Sequence, residues 1–288
     1  MNTSQQSVTA TYGVLPIPKV TPELLALIRS GNVYSLAVDY TPGMLAPGPM
    51  VSYTISPHLR HGDLKDIFPA SAAAEVITMS THVGTHIDAL CHIGEIQDDS
   101  GEVRLHNGVD ETVAAQQSYR GQTHLDISQM PPIITRAILL DVAGFKGVDI
   151  LPDAYAITAE DIQGTLAAQG SQVRKGTAVL VRTGFYKHLR EGNPAYRDAI
   201  AGLNLGAAQL LAEQGMTLAG ADNMTVEAFP PYDHAVHRFL LVHQGITHLE
   251  NLYLEELAAQ RVYEFLLIVT PLRLTGATGS WVNPIAIA

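Results

Sequence analysis

A chain of 288 residues with 47% apolar and 16% charged residues can bury a large core and lies outside the composition of disordered chains. Its formal net charge of −11 argues against nucleic acid as a partner, because neutralising phosphates takes a surplus of Lys and Arg. With the single cysteine Cys91, neither an intramolecular disulfide nor a Cys-rich zinc site can form.

In chain order, the N-terminal MNTSQQSVTATYGVL lacks the charged start and apolar run of a secretory signal, and no later stretch is long enough to span a bilayer. A soluble, cytoplasmic protein without a membrane partner is expected. Thr21-Pro22-Glu23 before LLALIRS and Gly31 predicts a short helix, with an N-cap, proline in the first turn and a glycine stop. Tyr40 to about Pro57 is rich in Pro and Gly and reads as loop. Residues 75–81 (EVITMST) are β-branched and predict a strand running into a group of histidines. Strands are predicted at 136–142, 177–182, 216–221 and 262–269, the last in the middle of a sheet. Helices are predicted at 158–169, capped by Thr158 and Asp161 and stopped by Gly170, at about 206–214, and near 253–260. Alternating strands and helices without repeats or linkers predict a single α/β domain with a mixed β-sheet flanked by helices. Residues 1–30 read as an N-terminal arm and helix available for contact with a second copy, and 31–288 as the domain proper.

The chain has 12 histidines, unevenly distributed. One cluster is His82-Val-Gly-Thr-His86-Ile-Asp88-Ala-Leu-Cys-His92. Gly84 and the β-branched Val83, Thr85 and Ile87 disfavour a helix there, so a strand with a glycine bend is expected. His86 and Asp88, two apart, then project from one side. An isolated histidine is ordinarily a core or surface residue. Three with an aspartate around a glycine bend favour a divalent-metal site with positions open to water and substrate. His92 stands where a general acid or base would be useful. The second cluster lies in 233–251 (DHAVHRFLLVHQGITHLEN), a short helical run from His237 to Gly245 followed by an extended segment ending near Glu250. A histidine and a glutamate from here would complete the first ion's shell or hold a second ion bridged by Asp88. His234, His243 and His248 read as surface or core histidines, and Asp222 as either a partner orienting a histidine or a turn residue.

His82-x-Gly-Thr-His86-x-Asp88 followed by His92 resembles the signature of the cyclase family of metal-dependent hydrolases, which includes bacterial kynurenine formamidase and isatin hydrolase. The chain is also similar to that family at Arg182-Thr183-Gly184, His237-Arg-Phe-Leu-Leu, Gly245-Ile-Thr-His-Leu-Glu250-Asn251-Leu and Pro271 to Ser280. The resemblance therefore runs from about Tyr34 onward. It implies a cyclase-like fold of the swivelling β/β/α kind, with His82, His86 and Asp88 as metal ligands and His92 as the acid–base residue. It matches His237 and Glu250 to the holders of a second ion or of substrate. Short-chain formamidases carry Asp-x-Pro-x-His where this chain has Asp88-Ala-Leu90-Cys-His92, and their His-to-Glu stretch is about one residue shorter. Both departures resemble the long-chain members. They imply one divalent ion, Mn²⁺ or Zn²⁺, with room for a second, and no organic cofactor.

The expected activity is opening of a cyclic amide by water activated at the metal, with aryl formamide or lactone hydrolysis as alternatives. Ser280 lacks the surroundings of a nucleophile elbow, and Cys91 reads as a wall residue. Tyr40, Phe68, Phe185, Tyr186, Phe229 and Tyr232 are candidates for the wall of a site taking an aromatic or cyclic small molecule, with Phe229-Pro-Pro-Tyr232 as its rim. A non-haem iron oxygenase built on His86, Asp88 and a distant histidine, and a non-catalytic metal-binding protein, are the readings from other classes. A homodimer or larger homo-oligomer is expected.

Overall fold

The computed structural model describes residues 12–97, 99, 102–108, 110–112 and 120–288. The expected arm falls partly outside them, in residues 1–11. Residues 12–30 lie against their own chain: Tyr12 is buried, its hydroxyl donates to the Leu125 carbonyl at 2.5 Å, and the same oxygen accepts from the Leu90 amide at 2.9 Å. The short helix is Pro22–Leu25, with Thr21 accepting from the Leu24 amide.

Among the described residues the main sheet has nine strands: β1 (Val33–Ser35), β2 (His86–Asp88), β3 (Ile133–Asp141), β4 (Thr177–Arg182), β5 (Met216–Ala221), β6 (Thr247–Glu250), β7 (Glu264–Val269), β8 (Gly279–Trp281) and β9 (Ile285–Ile287). Their order is β1-β9-β7-β3-β4-β5-β6-β2-β8. The four inner strands β3, β4, β5 and β6 run parallel, and the flanking pairs are antiparallel. The chain is thus an α/β domain with a mixed sheet, as its alternating elements predict.

Strand alternation divides the core. Ala137, Leu139, Ala178, Leu180, Leu218, Ile87 and Leu249 face one layer, which includes Leu90, Cys91 and Leu257. Ile138, Leu140, Val179, Val181 and Ala219 face the other, where Ile162 and Leu166 of α1 (Ala159–Gln169) and Ala207, Ala208 and Leu211 of α2 (Leu205–Glu213) cover them. The cap read from sequence forms: Thr158 accepts from the Asp161 amide, Asp161 accepts from the Thr158 amide, and Gly170 closes α1 in the left-handed region. The predicted strand at 75–81 ends sooner, spanning Ala74–Thr78, and lies outside the main sheet. It pairs with Thr54–Leu59 in a hairpin exposed along almost its whole length, so the loop expected to reach Pro57 ends at Thr54. The strand at 262–269 is interior, as Glu264–Val269, but antiparallel to both neighbours. No helix among the described residues is long and apolar enough to cross a membrane.

Candidate metal centre

The site grows from β2 and β6, antiparallel neighbours in which Glu250 pairs with His86 and Leu249 with Ile87. Ile87 and Leu249 point into the core, so His86, Asp88, His248 and Glu250 share the opposite face. All four are buried.

The Gly-Thr pair ahead of His86 builds the approach. Gly84 turns at φ +66°, and a Cβ there would overlap the Tyr40 ring, whose hydroxyl donates to the Thr85 carbonyl at 2.5 Å. Thr85 accepts from the Val38 amide at 2.8 Å and donates to the Asn251 carbonyl at 2.6 Å. Asn251 in turn donates from its side chain to the Gly84 carbonyl at 2.9 Å. This lattice fixes β2 against the end of β6 and leaves His82 in the turn before β2. The segment after Asp88 folds back on itself through the His92 amide, which donates to the Ala89 carbonyl at 2.9 Å. It carries the His92 ring over His82, with centroids 3.9 Å apart and planes at 24°.

The first-cluster donors converge. His82 Nδ1 lies 2.8 Å from Asp88 Oδ1, and His86 Nε2 lies 3.5 Å from Asp88 Oδ1 and 3.4 Å from Glu250 Oε2. His86 Nδ1 donates to the Gly84 carbonyl at 2.8 Å, which directs the Nε2 lone pair at the carboxylates. His82 Nε2 is held 2.9 Å from the Thr278 hydroxyl. From the second cluster, His237 Nε2 lies 3.5 Å from Glu250 Oε1. His86 Nε2 and Asp88 Oδ2 are buried without a hydrogen-bond partner, and the 2.8 Å approach of His82 Nδ1 to Asp88 Oδ1 lacks hydrogen-bond geometry, an expensive arrangement for polar atoms. Imidazole and carboxylate donors left open towards one point fit a divalent cation of the Zn²⁺ or Mn²⁺ type.

Two members of this cluster were not picked out by sequence reasoning. His248, read as a core or surface histidine, joins Asp88, His237 and Glu250 in a four-residue donor set whose ligand atoms all lie within 4.8 Å of one another. Glu227 hydrogen-bonds His237 Nδ1 and accepts from the Val236 amide at 2.9 Å, so it fixes the ring and turns Nε2 towards Glu250. The pattern His248-Leu-Glu250, the same alternation as His86-Ile-Asp88, was the available signal for His248. Glu227 has no comparable local signal, because its partner lies ten residues on in a different element.

In the metal-free protein, charge and burial divide the histidines. Burial opposes protonation of His86 and His237, but the adjoining carboxylates outweigh it and raise both to about 10. Burial lowers His92 to about 3 and His248 to about 4, with neighbouring histidines acting in the same direction. Burial raises Glu250, and Asp88 adds to this, yet His237 and His86 prevail and bring it down to about 2.

A cavity of about 100 Å³ opens at the cluster, its lining combining His82, His86, His92, His234, His237 and Glu250 with Pro47, Met50, Met224, Thr225 and Phe229. Of the six aromatic wall candidates only Phe229 lines it. Phe185 is core, Phe68 is 87% exposed, Tyr40 packs against Gly84, Tyr186 contacts Tyr253, and the Tyr232 hydroxyl donates to the Asp198 carbonyl. Loop paths placed these rings, and side-chain type alone carries no information about such paths. Asp222 stands in the bend after β5, as the turn reading has it, and holds backbone rather than a histidine: it accepts from the Thr183 amide and hydroxyl and from the Gly184 amide, bracing the turn after β4. Arg182 beside it binds Glu255 and Asp141. His243 pairs with Glu95 at the surface. Cys91 is in the core, and Ser280 accepts from the Leu272 amide.

The family model described as "Putative cyclase" matches residues 34–228, and the chain belongs to the cyclase family of metal-dependent hydrolases. The matched segment contains His82, His86, Asp88 and His92 and stops short of His237, His248 and Glu250. A protein named kynurenine formamidase from Bacillus thuringiensis subsp. konkukian is 29% identical over 210 residues, 73% of this chain and 77% of its own. A solved structure described as a novel cyclase aligns at 30% identity and a TM-score of 0.83, covering 93% of this chain and 92% of that one. Isatin hydrolase A from Ralstonia solanacearum shares the fold at 19% identity and a TM-score of 0.66, covering 93% and 97%.

Proposed function

We propose that this chain is a divalent-metal hydrolase that opens a small cyclic amide fused to an aromatic ring, of the isatin kind. The observation that carries the reading is the convergence of buried His82 Nδ1, His86 Nε2 and the Asp88 carboxylate beside a cavity lined by His82, His86 and His92. His82 Nδ1, His86 Nε2 and an Asp88 oxygen would hold the ion, Mn²⁺ or Zn²⁺. When bound, such an ion lowers the pKa of water and polarises a carbonyl oxygen.

The remaining work falls to the protein. Stacked on His82 at the cavity wall, His92 accepts a proton from the attacking water. Water adds to the carbonyl carbon, the C–N bond breaks, and His92 returns the proton to the leaving nitrogen. Pro47, Met50, Met224 and Phe229 exclude water and offer an apolar face to a flat ring.

Aryl formamide cleavage is the second reading, favoured by the 29% identity to a protein named kynurenine formamidase. A substrate bearing an amino-acid carboxylate calls for a cationic partner, and no Lys or Arg lines the cavity among the described residues. That supports the neutral cyclic amide. An iron oxygenase would use His86, Asp88 and one further histidine, leaving His82 and Glu250 idle although His82 adjoins Asp88 and Glu250 adjoins His86.

The test is to strip metal with a chelator, restore Mn²⁺ or Zn²⁺, and assay isatin and N-formylkynurenine. We expect activity to depend on the added ion and to favour isatin. His86→Ala should cost more than the ~10–100-fold typical of losing a supporting residue. Turnover indifferent to both chelation and His86→Ala would refute the hydrolase reading.

A further inference from the structure

We infer that His234 accepts a hydrogen bond from the ring N–H of the substrate, so that the site selects cyclic amides whose nitrogen carries a hydrogen. This rests on the hydrolase reading above and narrows its substrate class through a residue that the sequence motifs do not mark.

Three observations carry it. First, His234 lines the cavity together with His92, and both rings neighbour His237, with centroids 5.3 and 6.5 Å from it. His82, His86, His237 and Glu250 belong to the buried cluster, His92 moves the proton, and Thr225 accepts from the Glu227 amide, which leaves the His234 ring for the ligand. Second, the ring is held although its side chain is 46% exposed. It stands edge-to-face against Phe229 at 5.1 Å and against His237, and its backbone adopts φ +52°, uncommon for a residue with a side chain. Third, its Nδ1 lies 3.6 Å from Glu227 Oε1, the oxygen that also holds His237 Nδ1. A carboxylate only accepts, so it favours a proton on the Nδ1 that faces it. The Nε2 lone pair then points away from Glu227 as a bare acceptor.

A neutral lactam meets such a wall well. Its nitrogen is one bond from the reacting carbon and carries the only hydrogen-bond donor of an isatin-type ring system. The apolar lining of Pro47, Met50, Met224 and Phe229 offers no comparable acceptor. With the carbonyl at the metal centre, a bond from the ring N–H to His234 Nε2 fixes the rotation of the flat ring and presents its nitrogen to the residue that protonates it. Alkylating that nitrogen removes the bond and leaves Nε2 unpaired against the ligand.

The experiment compares isatin with N-methylisatin on the metal-loaded full chain, as wild type, His234→Phe and His234→Gln. His234→Phe keeps a ring against Phe229 and His237 but has no acceptor. It should lower kcat/KM for isatin roughly 3–10-fold, the worth of one neutral hydrogen bond, and leave N-methylisatin unchanged. The loss should fall mostly on KM, because the bond is present before the reaction begins. His234→Gln, whose amide oxygen accepts, should recover part of it. If His234→Phe fails to fold by circular dichroism, His234→Ala carries the same comparison. An equal loss on both compounds would make His234 a support for its neighbours and overturn the inference. So would no loss on either, or a loss of bound metal in the variant, and in these cases the hydrolase reading survives. A wild type that hydrolyses neither compound overturns the cyclic-amide reading as well.

Discussion

His86 and His237 each commit one ring nitrogen, to the Gly84 carbonyl and to Glu227, and offer the other to a carboxylate. Without metal, both are raised to about 10 from an ordinary 6.5. A folded state with the higher pKa keeps protons that the unfolded chain releases. Their contribution to stability is therefore complete below pH 6.5 and is lost as pH rises towards 10. Glu250 works in the opposite sense: lowered to about 2, it contributes fully above its ordinary 4.5, and that contribution is lost as pH falls towards 2. Chelated protein should resist urea best on a plateau between those windows, with the unfolding midpoint falling on either side. An ion must displace protons from the same imidazoles, so Mn²⁺ affinity should tighten as pH rises from 6.5 to 9. Isothermal titration across that range checks it, and an affinity flat in pH would contradict the protonated metal-free state.

At the scale of elements, the sequence was most legible where one local rule acts alone. The box of Thr158 and Asp161, the glycine stop at Gly170 and the apolar runs of β4 and β5 formed where periodicity and capping put them. The bend at Gly84 was legible for the same reason. Replacing Gly84 by alanine should be far more damaging than at an ordinary turn, since φ +66° disfavours any side chain and the new methyl would meet the Tyr40 ring. We expect a loss of about 2–4 kcal/mol by urea unfolding and weaker metal binding, because the same bend aims His82 and His86. Adding Tyr40→Ala should recover the part due to overlap and leave the part due to backbone strain, which a double-mutant cycle separates. What stayed hidden were relations between elements. Whether His248 faces core or site depends on β6 pairing with β2, and which rings wall the cavity depends on loop paths; composition and periodicity encode neither.

Across the whole molecule, the centre joins segments that are remote in sequence. His82 to His92 come from the turn and strand near the first third of the chain, and Glu227 to Glu250 from the last third. An ion bound by both closes a long loop in the native state only, so binding energy becomes folding energy. At free metal about 100 times Kd the gain is ~2.7 kcal/mol, or roughly 4–5 °C in Tm for a chain of this size. Calorimetry of chelated and reloaded protein measures that shift, and hydrogen exchange locates it. Amides of β2, β6 and the helical run from Ala235 to Gln244 should gain protection on loading, since their side chains meet at the ion. The hairpin of Thr54–Leu59 and Ala74–Thr78 should not, because it is exposed and stands outside the main sheet. Protection spread evenly over hairpin and sheet would mean that metal acts on stability without passing through this cluster.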